Sequence, residues 1–255
     1  MDFLVSANTD IGIAKSTNQD SLTVKIIDTT IGRMTFAVLC DGMGGLAKGE
    51  VASATLIKAF SKWAETQLPY VCMNGISDGI IKEQWSSIVQ QENEKIMNYG
   101  RIHNINLGTT VVVMLITQNR YYILNVGDSR AYEIKENVKQ ITEDQTLIQR
   151  EISQGRLTEE EAKVDPRRSV LLQCIGASEV VSPAMYYGEV KLNATYMLCS
   201  DGFRHEITKE EIYEALNPEV LTDINIMDNN TKYLIEADKE RQEKDNISVV
   251  LVRTF

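Results

Sequence analysis

The most constraining feature of this sequence is the order in which its β-rich and helix-rich segments alternate. Seven short runs rich in β-branched and aromatic residues predict strands at 3–8, 21–27, 34–40, 109–117, 121–126, 196–199 and 247–252. Amphipathic patterns predict one pair of helices at 50–65 and 76–97, and a second pair after Thr208 and over 220–241. Residues 117–120 predict a hairpin, so the sheet is at least partly antiparallel. This order favours an α+β fold in which sheets pack face to face beneath helices.

Composition and charge narrow the class of partner. The 36 acidic and 26 basic residues give a formal net charge of −10, which disfavours nucleic acid and anionic membranes because both attract basic surfaces. The longest uncharged apolar run, 111–116, is much shorter than the roughly 20 residues that cross a bilayer. No signal peptide is predicted at the N-terminus, so we expect a cytoplasmic protein. Since no Pro/Gly/Ser-rich linker interrupts the sequence, we predict a single domain over residues 1–255.

Five aspartates lie directly beside the predicted strands. Asp41, Asp128 and Asp201 follow apolar runs, whereas Asp20 and Asp245 precede them. A carboxylate next to a buried strand is costly unless it reaches solvent, a hydrogen-bond donor or a cation. A single Asp-Gly step usually marks a turn, but recurrence at five strand ends favours one site to which all five carboxylates contribute.

The chemistry of carboxylate oxygens indicates which ions such a site would hold. Oxygen ligands suit hard cations such as Mg²⁺ or Mn²⁺, and only two histidines, His103 and His205, are present to support a softer metal such as zinc. Two hard ions about 3.5 to 4 Å apart would generate a hydroxide-like nucleophile and stabilise an in-line displacement at phosphorus. The sequence contains no G-x-S-x-G, P-loop or G-x-G-x-x-G motif. The pattern therefore favours metal-dependent hydrolysis of a phosphate ester.

Five motifs in order resemble those of the metal-dependent protein Ser/Thr phosphatases of the 2C type, particularly the compact bacterial members. The motifs are Lys15-Ser-Thr-Asn-Gln-Asp20, Asp41-Gly-Met-Gly-Gly45 with Gly49-Glu50-Val-Ala-Ser53, Gly108-Thr-Thr110, Asn125-Val-Gly-Asp-Ser-Arg130, and Ser200-Asp-Gly202 with Lys244-Asp-Asn246. Each is weak alone, but the ordered set is specific. The resemblance implies a four-layer α/β/β/α sandwich of two antiparallel sheets flanked by helix pairs, with the active site at one end.

The resemblance also implies a metal centre of two Mn²⁺ or Mg²⁺ ions. Asp41 would bridge both ions, the Gly42 carbonyl would contact one, and Asp201 and Asp245 would hold the other. Asp20 would orient metal-bound water.

Further roles follow from the same resemblance. Asp128 and Asp201 would form a weaker third metal site. Lys15 would hold the substrate phosphate, although many family members have Arg at this position. Lys offers a point charge rather than a planar fork, so its contact with phosphate is less bidentate. Met43 replaces a His that animal relatives use as a proposed general acid. The glycine-rich turn at 42–45 would let the backbone approach an ion, or would simply join a strand to a helix.

Residues 144–177 resemble the flap of this family. The arginines Arg150, Arg156, Arg167 and Arg168 would meet an acidic phosphopeptide there, or would form an ordinary solvated loop.

The implied activity is hydrolysis of phosphoserine and phosphothreonine in proteins, in opposition to a cognate Ser/Thr kinase, by a monomeric enzyme. Two alternatives stay open. One is a catalytically silent module that binds phosphoproteins, which would be expected to have lost a metal-binding aspartate. The other is a metal-dependent phosphatase of small metabolites.

Overall fold

The computed structural model describes residues 1–43 and 48–255, and its ten strands form two antiparallel sheets. Sheet A has the order β1-β10-β9-β6-β7, and sheet B has the order β2-β3-β4-β5-β8. The strands are β1 (Phe3–Asp10), β2 (Ser21–Thr29), β3 (Gly32–Cys40), β4 (Val111–Ile116), β5 (Arg120–Val126), β6 (Arg130–Ile134), β7 (Val138–Gln140), β8 (Ala184–Glu189), β9 (Thr195–Cys199) and β10 (Ile247–Thr254).

Helices cover the outer face of each sheet. The helices in the described residues are α1 (Gly49–Thr66), α2 (Leu68–Asn74), α3 (Asp78–His103), α4 (Leu147–Ser153), α5 (Glu159–Val164), α6 (Lys209–Leu216) and α7 (Ile224–Glu240). Helices α1 to α3 pack on sheet B around Phe36, Trp63 and Trp85, and α6 and α7 pack on sheet A. A third apolar cluster lies between the two sheets. The predicted four-layer α/β/β/α sandwich is therefore confirmed.

The central strands of sheet B show why the apolar runs are continuous rather than alternating. In β3, Phe36 and Val38 face the helices, whereas Ala37 and Leu39 face sheet A. In β4 all six residues are buried for the same reason. A strand with both faces covered carries apolar side chains on both sides.

Three strands, helix α2 and two helix boundaries differ from the sequence-based expectation. The edge strands β7 and β8 are half-exposed and β6 begins with Arg130, so none of them has the apolar run that marks a buried strand. Helix α7 begins at Ile224 instead of 220, because the Asp223 side chain accepts hydrogen bonds from the first backbone N–H groups. Helix α3 continues to His103. The capping box at Thr208 is present as predicted.

None of the helices in residues 1–43 and 48–255 combines the length and the apolar character that a bilayer crossing requires. The assignment of all 255 residues to a single domain stays a prediction.

Helix α7 contains a buried carboxyl group, that of Asp238, whose pKa is higher in the folded protein than in the unfolded chain. Asp238 is fully buried, and neither of its carboxyl oxygens has a hydrogen-bond partner in the part of the chain that the structure describes. Burial, together with the nearby Glu243, raises its pKa from 3.8 to about 8. A raised folded-state pKa means that stability is lost as the pH rises from about 4 through about 8. Asp238→Asn should therefore raise Tm by about 4 to 8 °C at pH 9, corresponding to roughly 2 kcal/mol, and change it little at pH 5. Thermal unfolding at both pH values measures this, and an equal shift at both would contradict it.

Candidate active site

The register of sheet B brings two of the predicted aspartates together. Ser21, the first residue of β2, pairs with Cys40, the last residue of β3. Asp20 precedes Ser21 and Asp41 follows Cys40, so both aspartates lie at the same edge of the sheet.

The register of sheet A brings the other three predicted aspartates, Asp128, Asp201 and Asp245, to one end of that sheet. Cys199, the last residue of β9, pairs with β10 on one side and with Arg130 at the start of β6 on the other. Asp201 follows β9, Asp245 precedes β10 and Asp128 precedes β6. All three therefore lie at one end of sheet A, and we call the end of the sandwich that carries the five aspartates the acidic rim.

The backbone of Asp41 is held by two threonines from the Gly-Thr-Thr motif. The Asp41 N–H donates to the Thr110 hydroxyl at 3.1 Å, and the Asp41 carbonyl accepts from the Thr110 N–H and from the Thr109 hydroxyl, both at 2.9 Å. The Thr110 hydroxyl also lies 2.7 Å from that of Ser129, the neighbour of Asp128. One buried threonine thus links the segments of two predicted metal ligands.

Asn246 joins the two sheets at the acidic rim. It is buried, its side-chain carbonyl accepts from the Gln19 N–H at 2.8 Å, and its amide donates to the Ile11 carbonyl at 2.9 Å. A Cβ at Gly202 would lie 2.2 Å from the Asn246 carbonyl, so only glycine permits this approach. These contacts fix the segments before Asp20 and after Asp201 against each other.

Gly42 lies where the backbone is too close to its neighbours for a side chain. It is buried, bridges to Thr109, and a Cβ there would lie 2.4 Å from the Gln19 carbonyl. This close packing fits the expected approach of the Gly42 backbone to an ion, while its metal contact stays a prediction. The remainder of the glycine-rich turn, Gly44 and Gly45, lies outside the described residues.

The electrostatics of Asp41 show how close the five carboxylates are. Burial raises the pKa of Asp41 well above its usual value, and the carboxylates of Asp20, Asp201, Asp128 and Asp245 raise it further. Removal from water and repulsion by neighbouring carboxylates both disfavour the ionised form of a carboxyl group.

Asp20 and Asp128 show the same effect. Burial and the carboxylates of Asp201 and Asp245 raise the pKa of Asp20 to about 7. Burial and the Asp201 carboxylate raise the pKa of Asp128 to about 7. Three carboxyl oxygens, Asp20 Oδ1, Asp20 Oδ2 and Asp201 Oδ1, are buried and have no hydrogen-bond partner within residues 1–43 and 48–255.

Two basic side chains compensate part of this negative charge. The Lys15 ammonium lies 2.8 Å from Asp245 Oδ1. Burial lowers the pKa of Lys15, but the carboxylates of Asp245, Asp41 and Asp201 outweigh it, so its net pKa is raised and Lys15 stays charged. On the other side, Arg204 Nη2 lies 3.6 Å from Asp128 Oδ2.

A histidine and a glutamate connect two of the acids, and sequence analysis missed the glutamate. His205 Nε2 lies 3.5 Å from Asp201 Oδ2, and its Nδ1 lies 3.0 Å from Glu243. Glu243 accepts hydrogen bonds from the backbone N–H groups of Lys244 and Asp245. The only signal for Glu243 is its position two residues before Asp245, which gives no hint of a contact 38 residues away in sequence.

The residues of the rim fit a divalent cation by the chemistry of their donors. In residues 1–43 and 48–255, no three His, Cys, Asp or Glu side chains are already arranged around a common point at which a metal ion would bind. The buried, unpartnered oxygens of Asp20 and Asp201 nevertheless need a cation or a proton, and oxygen donors of this kind suit Mg²⁺ and Mn²⁺. The structure thus brings every predicted site residue to one end of the sandwich: Lys15, Asp20, Asp41, Gly42, Asp128, Asp201 and Asp245.

Comparison with known proteins assigns the family. Residues 13–232 match the sequence model of protein phosphatase 2C, and the chain therefore belongs to the protein phosphatase 2C family. The serine/threonine protein phosphatase PstP of Mycobacterium tuberculosis is 32% identical over 248 residues, which are 96% of this chain and 44% of PstP. The chain thus spans less than half the length of that relative.

Solved structures agree with this assignment. The S. agalactiae serine/threonine phosphatase has a TM-score of 0.84 and 28% identity over the whole of both chains. The catalytic domain of PstP in complex with two manganese ions has a TM-score of 0.77 and 28% identity, and the similarity covers 98% of this chain and 97% of that one.

Proposed function

We propose that this chain is a metal-dependent phosphatase that hydrolyses phosphoserine and phosphothreonine in proteins. The observation that carries the proposal is a set of buried carboxyl oxygens on Asp20 and Asp201 that have no hydrogen-bond partner among the described residues. They lie near Asp41, whose pKa is raised well above its usual value. This arrangement is costly without a cation. The family membership and the two manganese ions of the PstP structure support the same activity.

Two Mn²⁺ or Mg²⁺ ions are the proposed cofactors. Asp41 and the Gly42 carbonyl would hold one, and Asp41, Asp201 and Asp245 the other, with a weaker third ion at Asp128 and Asp201. When bound, these ions would lower the pKa of a water molecule and neutralise charge on the phosphate.

The other residues of the rim would act on water and phosphate directly. Asp20 would accept a hydrogen bond from the attacking water and orient it towards phosphorus. The Lys15 ammonium would bind a phosphate oxygen. Because Met43 has no ionisable group, the proton for the leaving oxygen would come from another group at the rim or from water.

The proposed biological setting is a cytoplasmic, monomeric, single-domain enzyme that opposes a Ser/Thr kinase. The silent-module alternative is disfavoured because all five aspartates are present and lie at one rim. The metabolite alternative is an outcome of the test. Phosphate release from a phosphothreonine peptide, from a phosphotyrosine peptide and from glycerol phosphate should be compared with Mn²⁺ and with EDTA. We expect Mn²⁺-dependent turnover of the phosphothreonine peptide, whereas faster turnover of glycerol phosphate would favour a metabolite phosphatase.

Lys15 provides a separate test of phosphate binding. A charge-assisted contact with phosphate corresponds to roughly 1.5 to 3 kcal/mol, so Lys15→Ala should lower kcat/KM about 10- to 100-fold, mostly through KM. Lys15→Arg should retain or improve kcat/KM, because the planar guanidinium can donate two parallel hydrogen bonds to one phosphate. Steady-state kinetics at saturating Mn²⁺ measures both, with Lys25→Ala as the control, since Lys25 pairs with the exposed Glu65. Parental kcat/KM in Lys15→Ala would place this lysine outside the phosphate site.

A further inference from the structure

A cleft with a volume of about 680 Å³ opens next to the acidic rim. Asp128 and His205 line the side of the cleft that faces the acidic rim. Ile148, Ile152 and Arg168 of the flap line one wall, and Lys209 at the start of α6 lines the opposite wall. We call this space the flap cleft. Because Asp128 belongs to both features, the flap cleft is within reach of residues next to a phosphorylated residue at the rim.

The charge of the flap cleft is opposite to that of the whole chain. Its lining includes five basic side chains of lysine or arginine and only three carboxylates, on a protein whose net charge is −10. A local excess of positive charge on an acidic protein attracts anionic ligands to that place.

Most of this charge is already paired. Arg130 donates two hydrogen bonds to Asp144, at 2.7 and 2.8 Å, and Arg204 lies 3.6 Å from Asp128 and 3.5 Å from Asp144. Lys163 lies 2.8 Å from Glu160. These three cations hold the cleft together rather than offering free donors.

Two basic residues of the lining have no carboxylate partner. Arg168 makes one hydrogen bond, to the Lys163 carbonyl at 3.4 Å, and forms no ion pair with any described residue. Lys209 forms neither an ion pair nor a side-chain hydrogen bond within residues 1–43 and 48–255. Both side chains are exposed and line the flap cleft.

The other flap arginines are not equivalent to Arg168. Arg156 donates two hydrogen bonds to Glu151, and Arg167 donates two to Asp165. Arg150 Nε lies 3.9 Å from Glu151 Oε1. None of these three arginines lines the flap cleft. Of the four arginines that the sequence offered for contact with an acidic peptide, the structure thus favours one, and it adds Lys209, which the sequence did not indicate.

We propose that the flap cleft binds an acidic side chain of the substrate, an Asp or Glu close in sequence to the phosphorylated residue, through Arg168 and Lys209. The inference rests on the proposed phosphatase activity and specifies its substrate class. Two unpaired cations in one cleft satisfy their charge best with a carboxylate, and the adjoining rim fixes where the phosphate lies.

The test compares two phosphothreonine peptides that differ only in Glu or Gln at the positions flanking the phosphorylated residue. For the unmodified chain, kcat/KM should be about three- to twentyfold higher for the Glu peptide. The Arg168→Ala/Lys209→Ala double variant should reduce this ratio to about one, and Arg168→Glu should favour a peptide with Lys at the same positions. Arg167→Ala is the matched control, since Arg167 directly precedes Arg168 in the flap and is already paired with Asp165.

An aryl phosphate without any peptide separates this inference from the proposed function. Its Mn²⁺-dependent turnover should be the same in the unmodified chain and in all three variants, because none of the altered residues lies among the rim acids. A Glu-to-Gln ratio of one in the unmodified chain, or a ratio unchanged in the double variant, would overturn the inference while leaving the phosphatase activity intact. Absence of aryl phosphate turnover in the unmodified chain would instead contradict the proposed function.

Discussion

Replacing Asp41 by Asn is expected to lower kcat for Mn²⁺-dependent phosphate release by about a thousandfold or more, while raising the Tm of the metal-free protein. Activity falls because Asn lacks the charge with which Asp41 would bridge two cations. Stability rises because Asn cannot ionise, whereas burial and the carboxylates of the other four rim aspartates make ionisation of Asp41 costly in the folded metal-free protein. The two opposite effects distinguish a functional carboxylate from a structural one, whose loss would reduce both.

The measurement combines steady-state kinetics on an aryl phosphate with thermal unfolding in EDTA. Asp28→Asn is the matched control, since Asp28 is an exposed residue of β2 that pairs with Arg33. It should leave kcat within about twofold. Retained activity in Asp41→Asn, or a lower Tm without metal, would be inconsistent with the proposed role.

The second large effect is expected in the pH dependence of stability. Metal-free protein should lose about 3 to 6 kcal/mol of unfolding free energy between pH 5 and pH 8, or about 10 °C in Tm, and saturating Mn²⁺ should cancel most of the loss. Asp20 and Asp128 have folded-state pKa values of about 7 against 3.8 in the unfolded chain. The folded state therefore binds more protons in this range, and stability falls as the pH rises.

Mn²⁺ offsets this loss of stability at higher pH because it binds the deprotonated carboxylates. Thermal unfolding at pH 5, 6, 7 and 8, with EDTA and with Mn²⁺, measures the effect. The Asp238→Asn variant is the appropriate background, since Asp238 titrates in the same range. The same loss of stability with and without Mn²⁺ would show that the rim acids do not bind the ion.

How much of the fold the sequence predicts depends on burial. The strands β3 and β4 are buried on both faces, so their continuous apolar runs identify them. The edge strand β8 is half-exposed along its length and carries no such pattern. Its place in the sheet depends on pairing with β5, which local sequence does not encode.

The same distinction applies to the site. The aspartates could be predicted because a carboxylate beside an apolar strand is unusual in itself. Three hydrogen bonds of the site instead depend on how the strands pack against one another. They join Thr110 to Ser129, Asn246 to Gln19 and His205 to Glu243. Asn246 and Gln19 are 227 residues apart, so only the folded register brings them together.

Calorimetric titration with Mn²⁺ tests most directly the claim that the acidic rim is a binuclear metal centre. The unmodified chain should bind two ions per molecule with protons released at pH 7, because the pKa of about 7 leaves Asp20 partly protonated without metal. Asp41→Asn should lose the tight binding of both ions. Titration of the unmodified chain without measurable binding, or with the same two ions retained in Asp41→Asn, would contradict the account.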